Sequence, residues 1–116
     1  MISEHIDKSV QKYITENCLR LSEHQRRLND ETVKKGVDII NECCPVDCSQ
    51  LLNVLVKATN ARRCVEIGTL TGLPTLSMAM AMPNDGLVVT LDTIRKNVTP
   101  LKEIWKDANV DQKVNK

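Results

Sequence analysis

Phenylalanine is absent from this chain, and Tyr13 and Trp105 are its only aromatic side chains. Without more aromatic faces, an aromatic ladder for stacking nucleobases is excluded. Neither sign of charge dominates: sixteen Lys and Arg stand against fifteen Asp and Glu, a net charge of +1 at pH 7. No basic tail or arginine-rich run concentrates that charge, so no nucleic acid and no anionic membrane surface is expected as a partner. Long hydrophobic runs are missing too. LLNVLV, residues 51–56, is among the longest, far below the ~20 apolar residues that span a bilayer. The opening MISEHIDKSV has neither the basic flank nor the apolar core of a secretory signal, and a cytoplasmic setting is expected.

Cysteine is present but unorganised. Cys18, Cys43, Cys44, Cys48 and Cys64 are odd in number and irregularly spaced, unlike the framework of a secreted disulfide scaffold, so reduced thiols are expected. CCPVDC lacks a second Cys/His pair at a zinc-ligating distance, and His5 and His24 are remote in sequence, so zinc is not expected. NVT at Asn97 matches the glycosylation pattern, which means little without a secretory signal.

At 116 residues the chain is one domain at most and falls short of the usual size of a complete α/β enzyme domain. Its first part, residues 1–60, reads as helices. Ile6, Val10, Tyr13 and Ile14 recur at helical spacing and predict an amphipathic helix over residues 3–17. A strongly charged helix follows over about residues 22–41, with a narrow apolar stripe including Leu28, Val33, Val37 and Ile40, and Gly36 as a place where it can break. Pro45 separates a third helix, for which Asp47 and Gln50 have the spacing of a capping box, with Leu51, Leu52, Leu55 and Ala58 as its buried face. The charged faces read as solvated helix surface.

After Asn60 the periodicity changes. CVEIG is a short β-branched run closed by glycine, TGLPTLSMAMAM has helical length with Leu73, Leu76 and Met80 on one face, and GLVVTLD is a second short strand. Strand, helix and strand within about thirty residues form a βαβ unit with parallel pairing. PNDG, residues 83–86, supplies the turn into the second strand.

Gly68 and Gly72 let backbone come close to a ligand at the carboxyl end of the first strand, and the next helix offers unpaired N–H groups at its start. Glu66 and Asp92 stand near the ends of neighbouring strands, where a carboxylate can accept from a ribose diol or an ammonium group. The spacing is G-x-x-x-G with an acidic residue two positions earlier, which differs from the dinucleotide fingerprint G-x-G-x-x-G. A methionine-bearing nucleoside suits that carboxylate better than a pyrophosphate does. The alternative, turn glycines with Asp92 as a strand-end cap, stays open from patterning alone.

The block VEIGTLTGLPTLSMAMAMPNDGLVVTLD resembles the cofactor-binding segment of the cation-dependent O-methyltransferases, the family of caffeoyl-CoA and catechol O-methyltransferases. CCPVDCSQLLNVLVKATNARRCVEIG resembles that family's helix leading into its first strand, IWKDANVDQKV its helix after the second strand, and YITENCLRLSEHQRRLNDET its N-terminal helices. The resemblance implies an α/β fold: N-terminal helices over 1–60, then over 61–116 the first βαβα part of a Rossmann-like S-adenosylmethionine-dependent methyltransferase, with an incomplete sheet. It implies methyl transfer from S-adenosylmethionine to a phenolic or catechol hydroxyl, assisted by a divalent cation, and a homodimer. Matched by position, Glu66, Gly68 and Thr69 fall where the family contacts the methionine part of the cofactor, Asp92 where it holds the ribose hydroxyls, and Cys44 at a contact ahead of the third helix.

Two departures follow. Gly72, Leu73 and Pro74 stand where the family reads G-Y-S, so Pro74 replaces a serine that binds the cofactor's carboxylate, and proline offers neither hydroxyl nor N–H. Loss of such a bond is worth about 1.5–3 kcal/mol, roughly ten- to a hundredfold in affinity. The family's metal ligands, catalytic residues and acceptor pocket all lie in a part of the fold beyond the residues matched here. The expectation is therefore the N-terminal, cofactor-binding half of an O-methyltransferase, a piece of a longer enzyme and inactive alone. The competing reading is a truncated non-catalytic product that binds cofactor weakly or pairs with a full-length relative. In the family the CVEIG strand has neighbours on both sides, so an open apolar strand edge is expected here.

Overall fold

The computed structural model describes residues 6–93 and 102–116. Helix α1 (Lys8–Asn17) begins where the Asp7 carboxylate accepts from the Ser9 N–H at 2.8 Å, a side-chain N-cap. That start lies later than the predicted residue 3, and residues 1–5 fall outside the described set. The apolar stripe made a helix but not a core face: α1 buries no residue, and Ile6, Val10 and Tyr13 are exposed.

Helix α2 (Glu23–Val33) opens with a complete capping box, Ser22 accepting from the Gln25 N–H while the Gln25 side chain accepts from the Ser22 N–H. Leu28 is fully buried, whereas Val33, expected beside it, is exposed, and Gln25 and Thr32 are buried instead. The helix predicted to run to residue 41 is two. Gly36 takes φ +106°, a left-handed conformation that ends a helix, and α3 (Val37–Glu42) restarts the chain. The side chains of Val37 and Ile40 lie outside the described set.

Helix α4 (Val46–Thr59) corrects two expectations. Pro45, not Asp47, is its N-cap, and no side chain caps it. Proline fixes φ and has no N–H to pair, so the helix starts two residues before the capping-box reading would place it. Gln50 faces the other way, accepting from the Arg20 N–H and donating to the Cys18 carbonyl at 2.9 Å. The face that packs is set by Ser49 and Val56, with Leu52 partly covered, while Leu51 and Leu55 are exposed. Four residues of one apolar helix could have turned inward, and packing against a neighbour chose a different stripe.

The chain then enters β1 (Arg63–Ile67), α5 (Leu73–Ala81) and β2 (Leu87–Leu91). β1 and β2 pair in parallel, with Cys64 opposite Val88, Glu66 opposite Thr90 and Ile67 opposite Leu91. Helix α6 (Lys102–Asp107) and a 3-10 turn at Asp111–Lys113 lead to β3 (Val114–Asn115), parallel to β2. The sheet order is β1-β2-β3, so β1 is an edge among the described residues. Helix α5 is buried nearly all round, because it lies between the sheet and the helices α2 and α4. Leu28, Leu76, Val88, Ile104 and Trp105 join in the core on that side. Lys113 is buried, and its ammonium donates to the carbonyls of Ala79 at 3.2 Å and Met82 at 2.9 Å. Those are carbonyls a helix end leaves unpaired, and a cation there also suits the helix dipole. Among the described residues no helix is long and apolar enough to cross a membrane.

Candidate cofactor-binding turn

The chain leaves β1 at Gly68, whose φ of +92° lets the backbone fold across the strand end while its N–H donates to the Leu91 carbonyl at 2.8 Å. Leu70 also adopts positive φ, +46°, a conformation costly for a branched side chain. Its N–H is held at 2.6 Å by Oδ2 of Asp92, so the carboxylate after β2 fixes the strained point of the turn. Gly72 closes the loop at φ +84°, donating to the Thr69 carbonyl at 2.7 Å and accepting the first α5 bond from Leu76 at 2.9 Å. Trp105 of α6 packs against it, and a Cβ at position 72 would lie 2.4 Å from the Trp105 ring.

Glu66 is turned into the body rather than out to the turn. Its Oε2 accepts from the hydroxyls of Thr75 and Thr90, the latter at 2.5 Å, and Thr90 Oγ1 lies 2.7 Å from Thr69 Oγ1. Burial pushes the Glu66 carboxyl above its ordinary range; the two threonine hydroxyls oppose the shift and the nearby Asp92 charge adds to it. A carboxylate and three threonines thus knit β1, β2, α5 and the turn into one hydrogen-bonded unit.

Two clefts meet at Gly68. The smaller is lined on one side by Cys43, Cys44 and Glu42 and on the other by Thr69, Leu70, Thr71 and Pro74. The larger, about 420 Å³ and open, is lined by Ile67, Gly68, Leu91, Asp92 and Thr93. Of the residues singled out by sequence, Cys44, Gly68, Thr69 and Pro74 line the first cleft, and Gly68 and Asp92 line the second. Glu66 lines neither. Cys44 is a neutral thiol: burial first, then the adjoining Cys48 thiol, raise it to about 11, against a bond from the Ser49 hydroxyl. Cys43 lies 3.7 Å from Thr71 Oγ1 and ties α3's end to the turn.

Thr75, Thr90 and Trp105 escaped the sequence reading. Thr90 carried a usable signal, since it sits two residues before Asp92 in a strand and must face the same side as Val88. Trp105 carried none, because only the packing of α6 brings it to Gly72.

The O-methyltransferase family model matches residues 15–116. A tapetum-specific methyltransferase of Arabidopsis thaliana is 32% identical over 110 residues, covering 93% of this chain and 47% of that protein. A caffeoyl-CoA O-methyltransferase of Populus kitakamiensis is 33% identical with the same two shares, 93% and 47%. Among solved structures, the Streptomyces achromogenes O-methyltransferase TomG, involved in tomaymycin synthesis and crystallised with SAM, aligns at a TM-score of 0.79 and 24% identity, covering 99% of this chain and 51% of that one. The chain spans about half the length of the relatives it matches.

Proposed function

Because the chain belongs to the O-methyltransferase family, we propose that it forms the methyl-donor half of an S-adenosylmethionine-dependent enzyme acting on a phenolic or catechol hydroxyl. The observation that carries this reading is the Gly68–Gly72 turn, with a cleft on each side and Asp92 at the end of the second strand. An elongated ligand with a nucleoside at one end and an amino acid at the other suits two clefts joined at one glycine. When bound, S-adenosylmethionine supplies an electrophilic methyl group.

The residues present fit the donor in the following way. Gly68, without a side chain and with open space where a Cβ would stand, lets the ligand pass between the clefts. Asp92 accepts from the ribose diol in the larger cleft. Cys44 and Thr69 border the methionine part in the smaller one; Thr69 acts through its backbone, since its hydroxyl is engaged with Thr90. Pro74, near the start of α5, withdraws one N–H from the ligand's carboxylate. Glu66 supports the turn from behind, through Thr90 and Thr69. The phenolic acceptor is supported by the caffeoyl-CoA O-methyltransferase among the relatives. A divalent cation finds no ligand set here: among the described residues no three His, Cys, Asp or Glu side chains come together, and no step runs through one.

Isothermal titration of the purified chain with S-adenosylmethionine tests the reading. Saturable binding is expected, competed by S-adenosylhomocysteine and not by NAD. Asp92→Asn should weaken it roughly tenfold, the loss of one charge-assisted hydrogen bond. A folded chain that takes up no S-adenosylmethionine would refute the donor assignment.

A further inference from the structure

The far end of α5 from Gly72 borders a cleft that the donor reading leaves unused. Met80, in the last turn of α5, lines it together with Leu21 and Ser22 ahead of α2 and with Gln50, Asn53 and Lys57 of α4. Those three α4 residues recur at spacings of three and four, so one polar face of the helix turns into the cleft. It shares no lining residue with either cleft at Gly68.

Its charge is of one sign. Arg20 and Lys57 both line it, and no Asp or Glu does. Arg20 is fixed at both ends: its backbone N–H donates to the Gln50 carboxamide, and Nη1 of its guanidinium donates to the carbonyls of Asn17 and Leu19, each at 3.0 Å. Those two bonds use both hydrogens of Nη1 and leave the Nη2 and Nε donors without a partner among the described residues. Ion pairs among the described residues engage Lys12, Arg27, Lys34, Arg62 and Lys106, and neither cation of the cleft. Asn53 donates through Nδ2 to the Ser77 carbonyl at 2.7 Å, which leaves its side-chain oxygen to accept.

We propose that this cleft binds a small organic oxyanion, the phosphate or carboxylate of a hydroxylated metabolite. Nε and Nη2 of Arg20 offer the paired donors that an oxyanion accepts, and Lys57 adds a second positive charge. The Asn53 oxygen accepts from a hydroxyl of the ligand, while Leu21 and Met80 give its carbon chain an apolar wall. The volume of about 220 Å³ is several times the ~30 Å³ share of a water molecule, room for an organic ion and not only an inorganic one. A nucleic acid strand finds no aromatic ring in the lining on which to stack a base. The site stands on its own geometry, so a chain that failed to take up S-adenosylmethionine would leave it untouched.

The full chain, isotope-labelled for amide correlation spectra, is titrated with glycerol 3-phosphate and with malate, sodium chloride holding the ionic strength constant. Saturable shifts are expected at Arg20, Ser22, Gln50, Asn53 and Lys57 with at least one of the two, and none over Gly68 to Gly72. Whichever ligand saturates identifies the oxyanion. Lys57→Met and Arg20→Gln should each raise Kd about tenfold, as loss of one charge-assisted contact does. Lys8→Met, on the exposed surface of α1, should leave Kd unchanged. All three side chains are exposed, so circular dichroism should hold, and Lys57→Gln repeats the charge removal with a polar tip. Shifts that stay linear with both ligands, saturation that survives both cleft substitutions, or an equal loss in Lys8→Met would each overturn the proposal.

Discussion

At position 72 a single hydrogen atom decides whether the turn can form. Gly72 combines a φ of +84° with a Trp105 ring 2.4 Å from where a Cβ would stand. Gly72→Ala should therefore lower stability by about 2–4 kcal/mol, the sum of left-handed strain and overpacking against a buried ring, read from urea unfolding. Glu66 gives a second residue-scale expectation. Its pKa is raised above the ordinary 4.5, chiefly by burial, so the folded state holds that proton more tightly than the unfolded chain. The stability contributed is full below 4.5 and is lost as pH rises through the folded value. Glu66→Gln should flatten that decline, so the urea midpoint of the variant gains on the parent between acid and neutral pH. A parallel pH profile for the two proteins would remove Glu66 from the account. Both residues were visible in the sequence as members of VEIGTLTG. Their partners were not, because Thr75, Thr90 and Trp105 meet them only across the βαβ crossover and α6.

Among the elements, α5 is the one on which the site depends, since its first turn closes the glycine loop and its last turn rests on Lys113. Lys113→Met keeps the length and apolar stem of the side chain and removes two donors from the buried carbonyls of Ala79 and Met82. A loss of about 2–3 kcal/mol is expected from unpaired carbonyls, measured as a lowered thermal midpoint. The strands and α5 were legible because short β-branched runs and a helical-length run alternate with Gly and Pro between them. The facing of α4 was not legible. Leu51, Leu52 and Leu55 are as apolar as Val56, and which of them turns inward depended on the position of α5.

For the whole molecule, packing is concentrated on one side of the sheet, and the periphery contributes little. α1 buries no residue, while the Gln50 bonds that tie down the chain reach only Cys18 and Arg20 beyond it. Deletion of residues 1–17 should therefore change unfolding free energy by no more than about 0.5 kcal/mol, as for surface changes away from the core. A loss of several times that in the urea midpoint analysis would show that α1 packs in solution. Its heptad-like stripe of Ile6, Val10 and Tyr13 is a genuine helix signal that no neighbour in the described residues uses.

What the sequence determined by itself was local: the strand–turn–helix–strand order, the two turn glycines, the carboxylate at Asp92, the likeness to O-methyltransferases. The order, the glycines and the carboxylate follow from backbone sterics and from periodicities of 2 and 3.6 residues, which act within a few positions along the chain, and the likeness rests on the particular residues of VEIGTLTGLPTLSMAMAMPNDGLVVTLD. The tertiary structure alone decided that Glu66 faces inward to Thr75 and Thr90, that Lys113 caps α5, that Trp105 seals Gly72, and that Val65, Ile67 and Leu91 lie bare. Each of those outcomes depends on which distant element arrives at a given face. For the bare residues it depends on none arriving among the elements described, so an apolar alternation that reads as core in the sequence lies on the surface of this chain.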